Sequence, residues 1–165
     1  MIVINKTAAR EVNLSGRGGK ETLLSKVFEN TQRVNAELYD LKDTDGSLLE
    51  LKKQADTQWF DAGKYHDLSK INKQIEMVFI LTSKGRKSDP VKKGMIEKIF
   101  TIKLGHLLEI LTSTKKYQKW GWEWPNIQLC YEQKQKYPSQ QAKVKIEMRD
   151  FLKENKKDCT IIWQR

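Results

Sequence analysis

The segment that most constrains the fold is residues 38–53, LYDLKDTDGSLLELKK, because its pattern predicts a β-hairpin. The run DTDGS fits a three-residue hairpin loop, with a type I turn followed by Gly46 in the left-handed conformation. Side chains alternate between the two faces of a strand, so the loop also fixes which residues share a face. The predicted register places Leu41 opposite Leu49 and Asp40 opposite Glu50.

One face of the predicted hairpin is charged. Asp40, Glu50 and Lys52 lie on it, while the other face carries the apolar residues Tyr39, Leu41, Leu49 and Leu51. Two directly opposed carboxylates repel each other unless something neutralises them. A divalent cation would do so, and carboxylate oxygens with water and phosphate in the remaining positions suit Mg²⁺. The ammonium group of Lys52 would then stand beside an attacking water or a phosphate oxygen.

The hairpin has two other interpretations, of which the sequence itself excludes the second. The first is an ordinary solvated face, because strands often alternate leucine with charged residues. The second is a calcium-binding loop. Aligning Gly46 with the glycine of an EF-hand loop puts Leu41 first and Lys52 last, where carboxylates are required, so the sequence excludes that loop.

The composition indicates a polyanionic partner. The chain has 165 residues, enough for one domain with a substantial core and too few for two. Lys and Arg number 31 against 21 Asp and Glu, which gives a net charge of +10. Such a charge suits nucleic acid better than a neutral metabolite. A soluble protein that is simply rich in lysine is the alternative.

The two cysteines, Cys130 and Cys159, form no C-x-x-C motif, so zinc and a disulfide framework are both disfavoured. We therefore expect a reducing, cytoplasmic location. The apolar run near the N-terminus is only four residues long, which is too short for a signal peptide, and no stretch approaches membrane-spanning length.

Periodicity predicts the remaining elements. Residues 53–74 read as a polar loop that meets substrate, with Trp59 and Phe60 in a small apolar cluster. Trp120, Trp122 and Trp124 are expected on an apolar strand face or an interface, with base stacking as the alternative. The predicted helices cover about 20–33 and 105–118, the second with Leu107, Leu108 and Leu111 on its inner face. The predicted strands cover 76–83, 95–104, 126–133, 142–148 and 159–163, and a basic turn precedes the last strand. The first of these strands is apolar throughout and is expected to be a buried central strand, and the strand over 142–148 carries Val144, Ile146 and Met148 on one face.

The hairpin motif resembles the PD-(D/E)XK nuclease superfamily: Asp40, then nine residues, then Glu50-Leu51-Lys52, with Tyr39 in place of the proline. Along the rest of the chain, the resemblance extends to the PvuII-like type II restriction endonucleases. The run Gly18-Gly19-Lys20 followed by Leu23-Leu24 resembles the start of their first helix. The spacing of His66 from the lysine resembles that of a base-contacting histidine, and Gln141 stands where they have a base-reading asparagine.

This resemblance implies an α/β (α+β) fold, a single nuclease domain with a central mixed β-sheet flanked by helices. Within it, residues 1–35 would form a helical dimerisation region, 36–112 the catalytic core, and 113–165 the C-terminal strands that recognise DNA. The implied activity is Mg²⁺-dependent hydrolysis of double-stranded DNA at a palindromic site by a homodimer, with a cognate methyltransferase in the same system.

The resemblance also implies roles for individual residues. Asp40, Glu50 and Lys52 would be catalytic, with Asp40, Glu50 and the main-chain carbonyl near Leu51 as metal ligands, and Glu21 or Glu29 as a further carboxylate within reach. DNA contacts are expected at His66, Gln140 and Gln141 for the bases and at Lys64, Lys143 and Lys145 for phosphates. Two alternatives remain: a structure-selective or repair nuclease of the same fold, and a non-catalytic nucleic-acid-binding module.

Overall fold

The computed structural model describes residues 2–15, 25–33, 41–43, 45–54, 57–61, 74–114 and 143–165. These residues form a mixed α/β fold with a mixed central sheet flanked by helices. In chain order the elements are β1 (Val3–Ile4), α1 (Lys6–Glu11), β2 (Phe28–Glu29), β3 (Thr31–Arg33), β4 (Leu41–Asp43), β5 (Leu48–Gln54), β6 (Thr57–Asp61), β7 (Glu76–Thr82), β8 (Ile96–Lys103), α2 (Leu104–Ser113), β9 (Lys143–Glu147), α3 (Met148–Glu154) and β10 (Thr160–Gln164).

The central sheet has the strand order β10-β8-β7-β5-β4-β3. Strand β5 runs parallel to β7, and the other neighbouring pairs are antiparallel. Strand β7 is an unbroken apolar run flanked on both sides, and it is buried along nearly its whole length, as predicted for a central strand. Two smaller sheets, β1-β2 and β6-β9, lie outside this one.

The central sheet has one apolar core on each of its two faces. We name the faces A and B by the alternating residues of β7. Face A carries Met77, Phe79 and Leu81, against which α2, α3 and Ile146 pack. Face B carries Val78 and Ile80, and these pack with residues of α1, β4, β5 and β10. Because both faces are covered, the side chains of β7 from Met77 to Thr82 are buried on alternate faces of the sheet.

The local sequence explains why the two helices on face A form. In α2, Leu107, Leu108 and Leu111 recur at helical spacing and are all buried, which confirms the predicted inner face. Helix α3 begins where β9 ends because the Glu147 side chain accepts hydrogen bonds from the main-chain N–H groups of Arg149 and Asp150, at 3.3 and 2.7 Å. Because this capping starts α3 at Met148, β9 ends at Glu147, one residue before the end of the predicted strand.

Three predicted elements are wrong in part. The helix expected over 20–33 is helical at 25–27, but its last third forms β2 and β3, where strand pairing overrides the helical spacing. Part of the expected polar loop is β6, which pairs with β9. The expected basic turn contains α3, whose apolar residues are buried on face A. The predicted strand over 126–133 and the three clustered tryptophans lie outside the described residues.

Across the described ranges, no helix combines the length and the apolar character needed to cross a membrane.

Candidate active site

The hairpin of β4 and β5 has the predicted register. Leu41 lies opposite Leu49 in the antiparallel ladder. The loop is closed by two hydrogen bonds, in which the Asp43 N–H donates to the Ser47 carbonyl at 2.8 Å and the Gly46 N–H donates to the Asp43 carbonyl at 2.9 Å. Gly46 has φ of +87°, a left-handed conformation that a residue with a Cβ adopts only with strain. The turn therefore fixes which residues of β5 point to each face.

Glu50 lies on face A of the sheet. Its partner in the parallel ladder is Met77 of β7, and parallel partners share a face. The glutamate is only 4% exposed. Burying an ionised carboxylate costs several kcal/mol unless it is paired and hydrogen-bonded. The interpretation of this face as a solvated hairpin surface is therefore wrong for Glu50.

Lys52 supplies a cation beside that carboxylate. It lies two residues further along β5, on the same face, with Phe79 as its ladder partner. Its Nζ is 3.2 Å from Oε1 of Glu50, and its side chain is 24% exposed. The ammonium group thus stands between a buried carboxylate and solvent, where it can contact both the carboxylate and an incoming anion.

The next lysine along the strand has a different environment. Lys53 points to face B, and its Nζ donates to the main-chain carbonyl of Leu14 at 2.8 Å. This contact ties β5 to the segment that follows α1. Adjacent lysines of β5 therefore make different contacts, Lys52 with Glu50 on face A and Lys53 with the Leu14 carbonyl on face B.

A second buried carboxylate on the hairpin is absent from the predicted site. Asp43, predicted only as part of the turn, is 3% exposed and lies on face B with Leu41. The signal was available in the sequence, because residues 41 and 43 have the same parity in the strand. Since Asp43 and Glu50 lie on opposite faces of the sheet, they do not form one site.

The structure brings Glu50, Leu51 and Lys52 together on one strand, with the Leu51 peptide unit between the two charged residues. The register from which the pairing of Asp40 with Glu50 was predicted is confirmed, while Asp40 itself lies outside the described residues. Glu29 is exposed on β2, in a sheet separate from that of Glu50. The remaining predicted residues outside the described ranges are Glu21, Lys64, His66, Gln140 and Gln141.

Two of the three lysines predicted to contact phosphates, Lys143 and Lys145, lie on β9. In the antiparallel ladder with β6, Lys143 pairs with Asp61 and Lys145 with Trp59. The alternate residue Ile146 is buried on face A, as predicted for the apolar side of this strand. Strand β9 thus belongs to a small second sheet and contributes Ile146 to the apolar core of face A, the face on which Glu50 lies.

The donor chemistry of the site suits a hard cation. The described residues contribute the Glu50 carboxylate and the neighbouring main-chain carbonyl of Leu51, both oxygen donors of the kind Mg²⁺ accepts. Within the described ranges, no group of three His, Cys, Asp or Glu residues is placed to hold a metal. Both donors are therefore of the kind that binds Mg²⁺, and a second carboxylate would have to come from Asp40.

Cys159 is not a candidate nucleophile or metal ligand. Burial, reinforced by the negative charge of Asp158, raises the pKa of the Cys159 thiol to about 12. The thiol therefore stays protonated at neutral pH, and the thiolate is the form that attacks electrophiles and binds metals.

Comparison with known proteins adds no assignment. No protein-family model matches the chain, and no curated protein matches it significantly.

Proposed function

We propose that this protein is a Mg²⁺-dependent endodeoxyribonuclease of the PD-(D/E)XK type, a type II restriction endonuclease that cuts a palindromic site as a homodimer. The observation that carries the proposal is a buried glutamate with a lysine 3.2 Å away on the same face of a central strand. Its sequence context, Asp40 followed at the motif spacing by Glu50-Leu51-Lys52, adds the resemblance to those nucleases.

In this proposal each residue of the motif has a distinct task. Asp40 and Glu50, with the main-chain carbonyl of Leu51, would hold the cation. A bound Mg²⁺ supplies a water of lowered pKa and neutralises charge on the scissile phosphate. Lys52 orients the water and stabilises the extra negative charge of the transition state through its ammonium group.

A purely structural ion pair accounts less well for this arrangement. The pair between Glu76 and Lys103, at 2.7 Å, shows what a structural pair looks like in this fold, because its lysine side chain is 48% exposed and its carboxylate is partly solvated. Glu50 is far more buried, and a buried ion pair is often less stabilising than apolar residues of the same volume. A functional need for the charges explains why they are present.

The charge of the chain supports DNA as the substrate, since a net charge of +10 attracts a polyanion. We assign base contacts to His66, Gln140 and Gln141, and phosphate contacts to Lys64 and to Lys143 and Lys145 of β9. A homodimer would match a palindromic site and provide one cleavage centre for each strand.

The experiment that tests this proposal separates binding from cleavage. Asp40→Ala, Glu50→Ala and Lys52→Ala should each abolish Mg²⁺-dependent cleavage of duplex DNA, whereas Asp40→Ala should retain DNA binding in a gel-shift assay. Lys103→Ala is the matched control, because it removes the lysine of an ion pair outside the site. Equal loss of binding and cleavage in a folded Asp40→Ala protein would contradict the assignment.

The two alternatives predict different substrates. A structure-selective or repair nuclease would cut a branched duplex and leave the corresponding linear duplex intact. A binding module would bind DNA with steep salt dependence and cut no substrate with any divalent cation. The burial of Glu50 favours catalysis over the binding module, because a surface that only binds DNA gains nothing from a buried carboxylate.

A further inference from the structure

A second candidate site lies between α3 and the β8-β10 edge of the central sheet. It is an open cavity of about 470 Å³, which we call the α3 pocket and define by Lys98, Arg149, Lys153 and Lys156. Its volume is in the range typical of small-molecule sites. Strand pairing places it about four residues along the sheet from Glu50, roughly 13 Å, and two strands away. The pocket is therefore distinct from the candidate active site.

The α3 pocket is strongly cationic. Its four basic side chains face a single carboxylate, that of Glu97. Lys98, Lys153 and Lys156 take part in no ion pair within the described part of the chain. Like charges one helical turn apart, such as Arg149 and Lys153, destabilise a helix. A bound anion would relieve that repulsion.

The arginine of the pocket is fixed before any ligand arrives. One terminal nitrogen of Arg149 donates to the main-chain carbonyl of Thr82 at 2.9 Å and to Oε2 of Glu97 at 2.9 Å. These contacts tie α3 to β7 and β8 and hold the guanidinium group at the pocket while it remains 33% exposed. A preorganised guanidinium loses little conformational freedom on binding and suits phosphate oxygens.

The floor of the α3 pocket is apolar. Leu81 and Leu152 belong to the core of face A, and each presents a small area to the cavity. Ile161 of β10 also lines it and is 39% exposed; among the described residues it is the one large apolar side chain that is clearly exposed. An exposed apolar surface inside a cationic rim matches a ligand with an organic part and an anionic group.

We propose that the α3 pocket binds an organic phosphate of nucleotide size, with the phosphate on the basic side chains and the organic part over Leu81, Leu152 and Ile161. A surplus of three positive charges calls for a multiply charged anion, which a single carboxylate does not provide. The volume exceeds what inorganic phosphate fills. This inference does not depend on the nuclease proposal, because it uses other residues and another chemistry.

The test is calorimetric titration of the 165-residue protein with each of the four nucleoside 5′-monophosphates, with the matching nucleosides and with inorganic phosphate. At least one monophosphate should bind saturably at one site per chain, and about tenfold more tightly than its nucleoside or inorganic phosphate. The variant Lys98→Ala/Lys153→Ala should weaken that binding at least tenfold. The control Lys87→Ala/Lys92→Ala removes two exposed lysines elsewhere and should leave it unchanged.

Several results would overturn the proposal. One is absence of saturable binding by all four monophosphates, and another is equal binding by the parent and the pocket variant. Equal affinity for inorganic phosphate and monophosphates would show a simple anion site with no role for the apolar floor. A variant that loses affinity for a duplex oligonucleotide, while the parent ignores monophosphates, would make the pocket a DNA backbone contact. Cleavage by the parent protein is measured separately, so failure here is distinguishable from failure of the nuclease proposal.

Discussion

Replacing Lys52 with methionine tests whether the Glu50-Lys52 pair is as buried and as strongly coupled as the structure indicates. At 3.2 Å and an effective dielectric constant of about 20, the attraction between the two charges is about 5 kcal/mol. The net cost of losing it is smaller, because Lys52 is 24% exposed and solvent screens part of the attraction. We expect Lys52→Met to lower the free energy of unfolding by about 2–3 kcal/mol, and Tm by about 4–12 °C.

The partner substitution is expected to cost less. Glu50→Gln keeps the shape of the side chain and leaves an ammonium group that can turn toward solvent, so we expect a loss of about 1 kcal/mol. The double variant has no carboxylate at position 50, so the loss of the lysine leaves no unpaired negative charge. The double-mutant cycle should therefore give a coupling energy of about 1–2 kcal/mol. All three variants should cleave DNA at least about 10³-fold more slowly than the parent. Glu50→Gln should therefore be inactive although it is nearly as stable as the parent.

The assay is urea denaturation of the parent, the two single variants and the double variant, with Lys103→Met as the matched control. The Lys103-Glu76 pair is more exposed, so its loss should change stability by less than about 1 kcal/mol. The slope of the denaturation curve should be the same for all five proteins. Additive effects of the two substitutions, or equal losses for Lys52→Met and Lys103→Met, would refute the reasoning.

Three further predictions concern other parts of the molecule. Arg165→Ala should lower the free energy of unfolding by about 1–3 kcal/mol in urea denaturation, because its guanidinium donates to main-chain carbonyls of β8 and α1, at 2.8 and 2.7 Å; an effect no larger than that of Lys87→Ala would contradict this. His66→Ala should cut DNA less selectively, and unchanged rate and selectivity would show that it does not read bases. In a Cys130→Ser background, Cys159 should react with iodoacetamide at pH 8 roughly 10²–10³-fold more slowly than an unperturbed thiol. The reaction should become faster as the pH rises toward the thiol pKa of about 12. A rapid reaction at pH 8 in the folded protein would contradict the burial of this thiol.

The local signals in the sequence predicted the elements that depend on a single pattern. The apolar run of β7 and the helical spacing of Leu107, Leu108 and Leu111 specify their elements without reference to the rest of the chain. The hairpin loop with Gly46 specified its own register. Each of these predictions is confirmed, because turn chemistry and burial act there in the same direction.

The elements that the sequence analysis missed depend on distant partners. The helix predicted through residue 33 has its last apolar position at Phe28, and residues 28–29 and 31–33 pair as strands because neighbouring strands satisfy their main-chain groups. Helix α3 is short, with four charged residues among its seven, and its burial depends on a core built from other elements. In the candidate site, spacing predicted that Glu50 and Lys52 share a face. The burial of Glu50 was not predictable, because it results from packing on β7 and from the helices on face A.

The most direct test of the central claim is digestion of phage DNA of known sequence by the parent protein and by Glu50→Gln, with Mg²⁺ and with EDTA. Glu76→Gln is the matched control, since it changes an ion-paired carboxylate of a neighbouring strand on the opposite face. We predict discrete fragments from the parent and from Glu76→Gln with Mg²⁺, and intact DNA from Glu50→Gln and in EDTA. Intact DNA in every reaction, or the same fragments from Glu50→Gln, would contradict the account.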